Sequence, residues 1–138
     1  MNWLYWSLLS ALFAAATAIL AKVGVKGVDS NLALAVRTSV ILIFTWAIAF
    51  ARGTTAIAAL SRVNWLFLFL SGIATGLSWL CYFRALQLGE ASKVAPIDKL
   101  SVVLVIFFSA IFLREQITAG KAVGGALIAI GAILIARD

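Results

Sequence analysis

Four ionisable residues, Arg37, Arg84, Asp98 and Lys99, stand inside or nearly inside apolar runs of this chain. Each lies a depth of roughly 6–8 Å in from the same end of its run, at 1.5 Å per helical residue. A charge inside such a run costs a few kcal/mol, less toward an end. Four at similar depth on one side therefore point to a shared network. Asp98 is the one carboxylate among them, so it is expected to pair with Arg37 or Arg84. Lys99, about 100° further round a helix, is expected to face elsewhere. Two chemistries fit this set. In one, Asp98 and an arginine make a satisfied clamp while Arg84 and Lys99 extend to the headgroups. In the other, the cluster lines a polar cavity that holds a small solute or a proton.

The neighbours of the set leave the same choice open. Trp79 and Tyr82, with Phe83, offer aromatic walls to a cavity, and equally face lipid or pack on Gly72 and Gly76. Pro96 fits the first turn of a helix, where its missing N–H has no partner to lose. Alternatively, residues 89–93 mark an unwound entry to that helix, and broken helix ends form sites in transporters. Other chemistries lack their residues. The chain has no histidine and one cysteine, Cys81, in an apolar run where packing is the expected role. No Cys/His zinc set is possible and no intramolecular disulfide. No nucleophile triad, Walker loop or dinucleotide glycine motif occurs, so no cofactor, no metal site and no enzymatic activity are expected.

The elements that must carry these residues follow from composition. Of 138 residues, 64% are hydrophobic and 12% charged, with a mean hydropathy of +1.13. Soluble domains carry roughly 25% charged residues, so the solvent that matches this chain is lipid. Apolar stretches of about 20 residues cross a hydrocarbon core of about 30 Å. Five are predicted, at about residues 3–21, 32–51, 65–88, 94–113 and 117–136, in a single domain over 1–138. Residues 53–62 are too short to span and are placed at the interface. Backbone in lipid must satisfy itself, and nothing here alternates as a β-barrel strand would. The fold class is all-α, a polytopic transmembrane bundle of five helices. No Lys or Arg precedes the first run, so it reads as a retained helix and not as a signal peptide.

Five spans place the two termini on opposite sides. Trp3, Trp6, Trp46 and Trp65 all fall near the N-terminal side, at the headgroup boundary that indoles favour. That side carries Arg52, Arg62, Arg114 and Lys121, and the other carries Lys22, Lys26, Lys93 and Arg137 outside the intramembrane set. Orientation follows the Lys/Arg bias of short loops. Four against four is almost no bias, and a chain without one inserts both ways.

Helices associate in lipid through small residues. The first span carries Ser7, Ala11, Ala14, Ala18 and Ala21, and the third carries Gly72 and Gly76 with Thr75. The fifth carries Gly120, Gly124, Gly125 and Gly131, with Ala129, Ala132 and Ala136. These stripes serve packing within the bundle, and the fifth span is also a candidate for dimerisation. The net charge of +6 is scattered over span ends, without the clustered basic face that nucleic acid needs. The partners expected are the lipid bilayer, a second copy of the chain and a small-molecule solute, with no nucleic acid.

From Tyr82 to Ser101 the sequence reads Tyr-Phe-Arg-Ala-Leu-Gln-Leu-Gly-Glu-Ala-Ser-Lys-Val-Ala-Pro-Ile-Asp-Lys-Leu-Ser, and Leu113-Arg114-Glu115 precedes a glycine-rich last helix. With Arg37-Thr38 in the second span, this resembles the EamA-type domain of the drug/metabolite transporter superfamily over nearly the whole chain. Most such proteins carry two five-helix repeats in inverted orientation, and one repeat is present here. The resemblance therefore implies an antiparallel homodimer that exports or exchanges a metabolite by alternating access, in a prokaryotic cytoplasmic (inner) membrane. The small multidrug resistance relatives use a glutamate in the first helix to trade protons for cationic drugs. The first span here has no acidic residue, and the surplus of Arg and Lys on one side favours an anionic or zwitterionic solute. A reading of another class remains, a non-transporting membrane subunit that supports a partner complex.

Overall fold

The computed structural model describes residues 2–138 and is built of helices. Helix makes up 82% of the chain, with no strand among the described residues. The elements are α1 (Trp3–Gly24), α2 (Ser30–Ala51), a 3₁₀ turn (Ile57–Ala59), α3 (Arg62–Leu88), α4 (Ala91–Asp98), α5 (Ser101–Phe112) and α6 (Ala119–Arg137). Five segments are long and apolar enough to cross a membrane, α4 and α5 together forming the fourth, Ala91–Phe112. Large apolar side chains such as Trp3, Ile43, Phe69 and Phe112 stand mostly exposed. In water that surface would drive aggregation, whereas lipid solvates it.

The chain divides into two compact units, Ala21–Gln87 and the remainder up to Leu20 together with Leu88–Asp138. In the first, the sequence sets helix ends that apolar periodicity does not mark. Asp29 is extended (φ −60°, ψ 134°) and accepts hydrogen bonds from the amides of Asn31 and Leu32 at 2.9 and 3.1 Å. A carboxylate at that N-cap satisfies donors the helix cannot. The far end of α2 closes through Gly53 (φ +66°), with Gly53 N–H donating to Phe50 and Thr54 N–H donating to Ala49. This paired closure needs a left-handed residue, which glycine adopts without strain.

Two long-range hydrogen bonds tie the ends of α1 and α3. Lys22 Nζ donates to the Leu86 carbonyl at 2.6 Å, and Gln87 Nε2 donates to the Val28 carbonyl at 2.6 Å. Leu86 is fully buried, with Val25, Phe83 and Leu34 also in this unit's core. A buried carbonyl left without its donor costs about 1–3 kcal/mol. Lys22→Met is therefore expected to lower the stability of the detergent-purified protein by about that much, read from SDS-titrated loss of helix. An unchanged midpoint would mean that water takes over the carbonyl.

In the other unit, α6 packs on α4 and on α5. Gly125 is buried, and a Cβ built there would lie 3.4 Å from Ile106 Cδ1. Ala132 is buried on the same helix. Thr118 caps α6 by accepting from Lys121 N–H at 3.3 Å. After α5 the chain turns through Arg114 at φ +56°, with Glu115 N–H donating to the Ser109 carbonyl. A non-glycine residue held left-handed costs about 1–2 kcal/mol. Arg114→Gly is expected to raise thermal stability, by less than about 1 kcal/mol once glycine's larger unfolded-state entropy is included. A fall in melting temperature would assign the Arg114 side chain a stabilising contact that outweighs the strain.

Candidate functional site

The helix starts lengthen the second and fourth spans beyond their apolar runs, while the third ends where its run does. α2 begins at Ser30 and α4 at Ala91, so Arg37 and Asp98 each lie roughly 10 Å along the helix from those starts. Arg84 lies roughly 6 Å short of the end of α3 at Leu88. The added length comes from polar residues at the span ends, Ser30, Asn31, Ser92 and Lys93, that stay helical.

Within Ala21–Gln87, α2 and α3 bring Arg37, Trp79 and Phe83 together. The Arg37 guanidinium lies 4.4 Å from the Trp79 ring centroid and 5.4 Å from that of Phe83. Trp79 and Phe83 are one helical turn apart on α3 and share a face. A guanidinium between two rings is held by their negative faces, an interaction that strengthens as water is excluded. The aromatic walls thus serve a cation, and neither lies against the glycines. Gly72 and Gly76 would meet nothing within 4 Å if given a Cβ. Tyr82 is half-buried beside Phe83 on the same helix.

Arg84 finds a hydrogen-bond partner on its own helix. Its Nη1 donates to Gln87 Oε1 at 2.9 Å, and Gln87 in turn donates to Val28. Sequence reasoning misses Gln87, although a polar residue three positions after an arginine on a helix faces the same way. Lys22 reads in the sequence only as the close of the first span, because a backbone carbonyl acceptor leaves no mark there.

In the other unit, Asp98 pairs with Lys99, Nζ to Oδ2 at 3.1 Å. This corrects the expectation that Lys99 faces elsewhere. The reason is that α4 ends at Asp98 and the backbone tightens. Lys99 N–H donates to Pro96, Leu100 to Ile97, Val102 to Lys99 and Val103 to Leu100, each three residues back. In that 3₁₀-like stretch Lys99 leaves the regular helical register, and its long stem folds back onto Asp98. Pro96 sits in the second turn of α4, where it removes the N–H that the Ser92 carbonyl would otherwise accept. In the entry at 89–93, Gly89 and Glu90 are non-helical and Ala91–Lys93 are helical. Glu90 is extended (φ −70°, ψ 140°) and helix begins at Ala91. The interruption falls inside the fourth span, at Lys99–Leu100.

Ionisable residues within membrane spans, such as Arg37 and Asp98 here, are candidates for function by default. The profile of the EamA-like transporter family matches residues 1–137. The chain belongs to that family. It is 51% identical over 136 residues to a Sinorhizobium sp. protein named "Uncharacterized transporter in cobO 3'region", an alignment covering 98% of this chain and 96% of the relative. No solved structure matches. The EamA-like assignment makes this an integral, multi-pass membrane transporter and agrees with the resemblance carried by residues 82–101.

The glycines of this EamA-like chain separate into two groups. Gly125 is packed against Ile106 within its own unit. Gly120 would meet only the Thr118 hydroxyl, at 3.9 Å, while Gly124 and Gly131 would meet nothing within 4 Å.

Proposed function

We propose that this chain is a secondary transporter that exports or exchanges a small anionic or zwitterionic metabolite by alternating access, as an antiparallel homodimer. The observation that carries this reading is the interruption of the fourth span at Lys99–Leu100, with the Asp98–Lys99 ion pair upon it. A regular apolar helix would serve packing as well and needs neither the tightened turn nor the charges. The turn there keeps its backbone hydrogen bonds in a 3₁₀ pattern, and such tightening inside a helix often marks a functional hinge. Arg37 and Arg84 in one unit, with Trp79 and Tyr82 as walls, and Asp98 and Lys99 in the other are proposed as the residues that handle the solute.

The dimer is supported by two facts. Five spans carry the chain from one face of the bilayer to the other, and the Lys/Arg count outside the intramembrane set is four on each side. The Sinorhizobium relative, covered over 96% of its length, is of the same size. Two oppositely inserted copies would supply the inverted pair of repeats that alternating access uses. The inner membrane of a prokaryote is the proposed location.

Counterflow into proteoliposomes tests the reading. Vesicles preloaded with unlabelled glutamate, alanine or tetraphenylphosphonium would be diluted into the labelled compound. Accumulation of glutamate or alanine is expected. Preference for the lipophilic cation would overturn the charge assignment. Counterflow of none of the three, from protein of full helix content, would favour a subunit that supports a partner complex.

A further inference from the structure

Within Ala21–Gln87 a cleft of about 720 Å³ opens between the end of α1, the loop that follows it and the end of α3. Lys22, Lys26, Arg84 and Gln87 line it, with the exposed Val23 as its apolar wall, and no acidic residue contributes to the lining. Asp29, the acid nearest in the loop, uses its Oδ1 on the amides of Asn31 and Leu32. Among the described residues no salt bridge includes Lys26 or Arg84. Basic residues at helix C-termini often serve the last carbonyls, and Lys22 does this through Leu86. Arg84 does not. Its guanidinium is oriented by the Gln87 side chain, which leaves further N–H donors on a planar fork suited to oxyanions.

The level of the cleft narrows the ligand. Lys22 and Arg84 lie in the last turns of two membrane-spanning segments, the depth at which headgroups meet hydrocarbon. Small-molecule sites commonly enclose about 300–1,000 Å³, so the cleft has room for an organic body beyond the anion itself. We propose that it binds a phosphate group carried on an organic body, the phosphate oxygens on Lys26 and Arg84 and the body against the exposed Val23. A phospholipid and a phosphorylated solute share that chemistry. The inference shares Arg84 with the proposed transport site, but binding alone decides it.

The test uses the full chain, delipidated in dodecyl maltoside, and native mass spectrometry. The probes are dioctanoyl phosphatidylglycerol, dioctanoylglycerol and glycerol 3-phosphate. Saturable binding of phosphatidylglycerol, tighter than of dioctanoylglycerol, is expected. Each cation near such a headgroup contributes roughly fivefold in affinity, so Lys26→Gln with Arg84→Gln should weaken it roughly thirtyfold. Dioctanoylglycerol binding should not change. Competition by glycerol 3-phosphate would identify a solute as the natural occupant, and its absence a lipid. Equal binding of the two lipids, no binding of phosphatidylglycerol, or an unweakened variant would overturn the proposal. If the double variant loses helix by circular dichroism, Lys26→Gln alone, an exposed loop position, gives the same reading at roughly fivefold.

Discussion

Arg37→Leu is expected to raise the amount of protein inserted in the membrane while lowering solute counterflow by at least about a hundredfold. The first effect follows from position. Arg37 lies roughly 10 Å inside α2, and exchanging arginine for leucine at the centre of a span is worth about 3 kcal/mol on insertion scales, less toward an end. Against this stands the stacking of the guanidinium on Trp79 and Phe83, at 4.4 and 5.4 Å. Such stacking contributes about 1–2 kcal/mol, so the balance favours insertion. The second effect follows if the guanidinium holds the solute. Arg37→Lys separates charge from shape, since lysine keeps the charge but loses the planar stack. It should retain part of the activity. A leucine variant that transports normally would reduce Arg37 to a pin between α2 and α3.

Asp98→Asn is expected to abolish counterflow while changing expression less than twofold. In the folded chain, Asp98 and Lys99 are adjacent residues whose side chains are 36% and 56% exposed. An ion pair that open contributes at most about 1 kcal/mol to stability. A clamp would need more than that. Neutralising the carboxylate also leaves Lys99 as an uncompensated charge at the interruption, where loss of one partner of a desolvated pair costs about 2–5 kcal/mol. That larger figure applies only where the pair is sealed from water, as a solute site in the assembled transporter would be. Loss of transport with intact expression would thus place the pair in the solute site. Equal loss of both would make it structural, and preserved transport would remove Asp98 from the site.

The spans are legible in the sequence because lipid leaves the chain no other way to satisfy its backbone, so apolar length alone marks them. Their ends are less so. Ser30, Asn31 and Arg62 belong to helices by capping and turn geometry, which hydropathy does not register. At the site, residue types are readable and partners are not. Arg37 and Trp79 stand out as a cation and a ring in apolar runs, yet which ring the cation meets depends on how α2 and α3 pack. Pro96 points to a break at the entry of the fourth span. The break falls after it, at Lys99–Leu100, and that shift turns Lys99 onto Asp98. The basic cleft escapes the sequence because Lys22 and Leu86 meet only through folding, and a carbonyl acceptor belongs to every residue.

Topology is the most direct test of an antiparallel transporter. Cys81 is exposed, so Cys81→Ser would come first, and Ala56→Cys would then place a single thiol in the loop between α2 and α3. Intact cells and permeabilised cells would be labelled with an impermeant maleimide. Labelling of about half the molecules in intact cells is expected, as the balanced Lys/Arg count requires. Labelling of all or none would mean one orientation, and two copies of this chain could not then form the inverted pair.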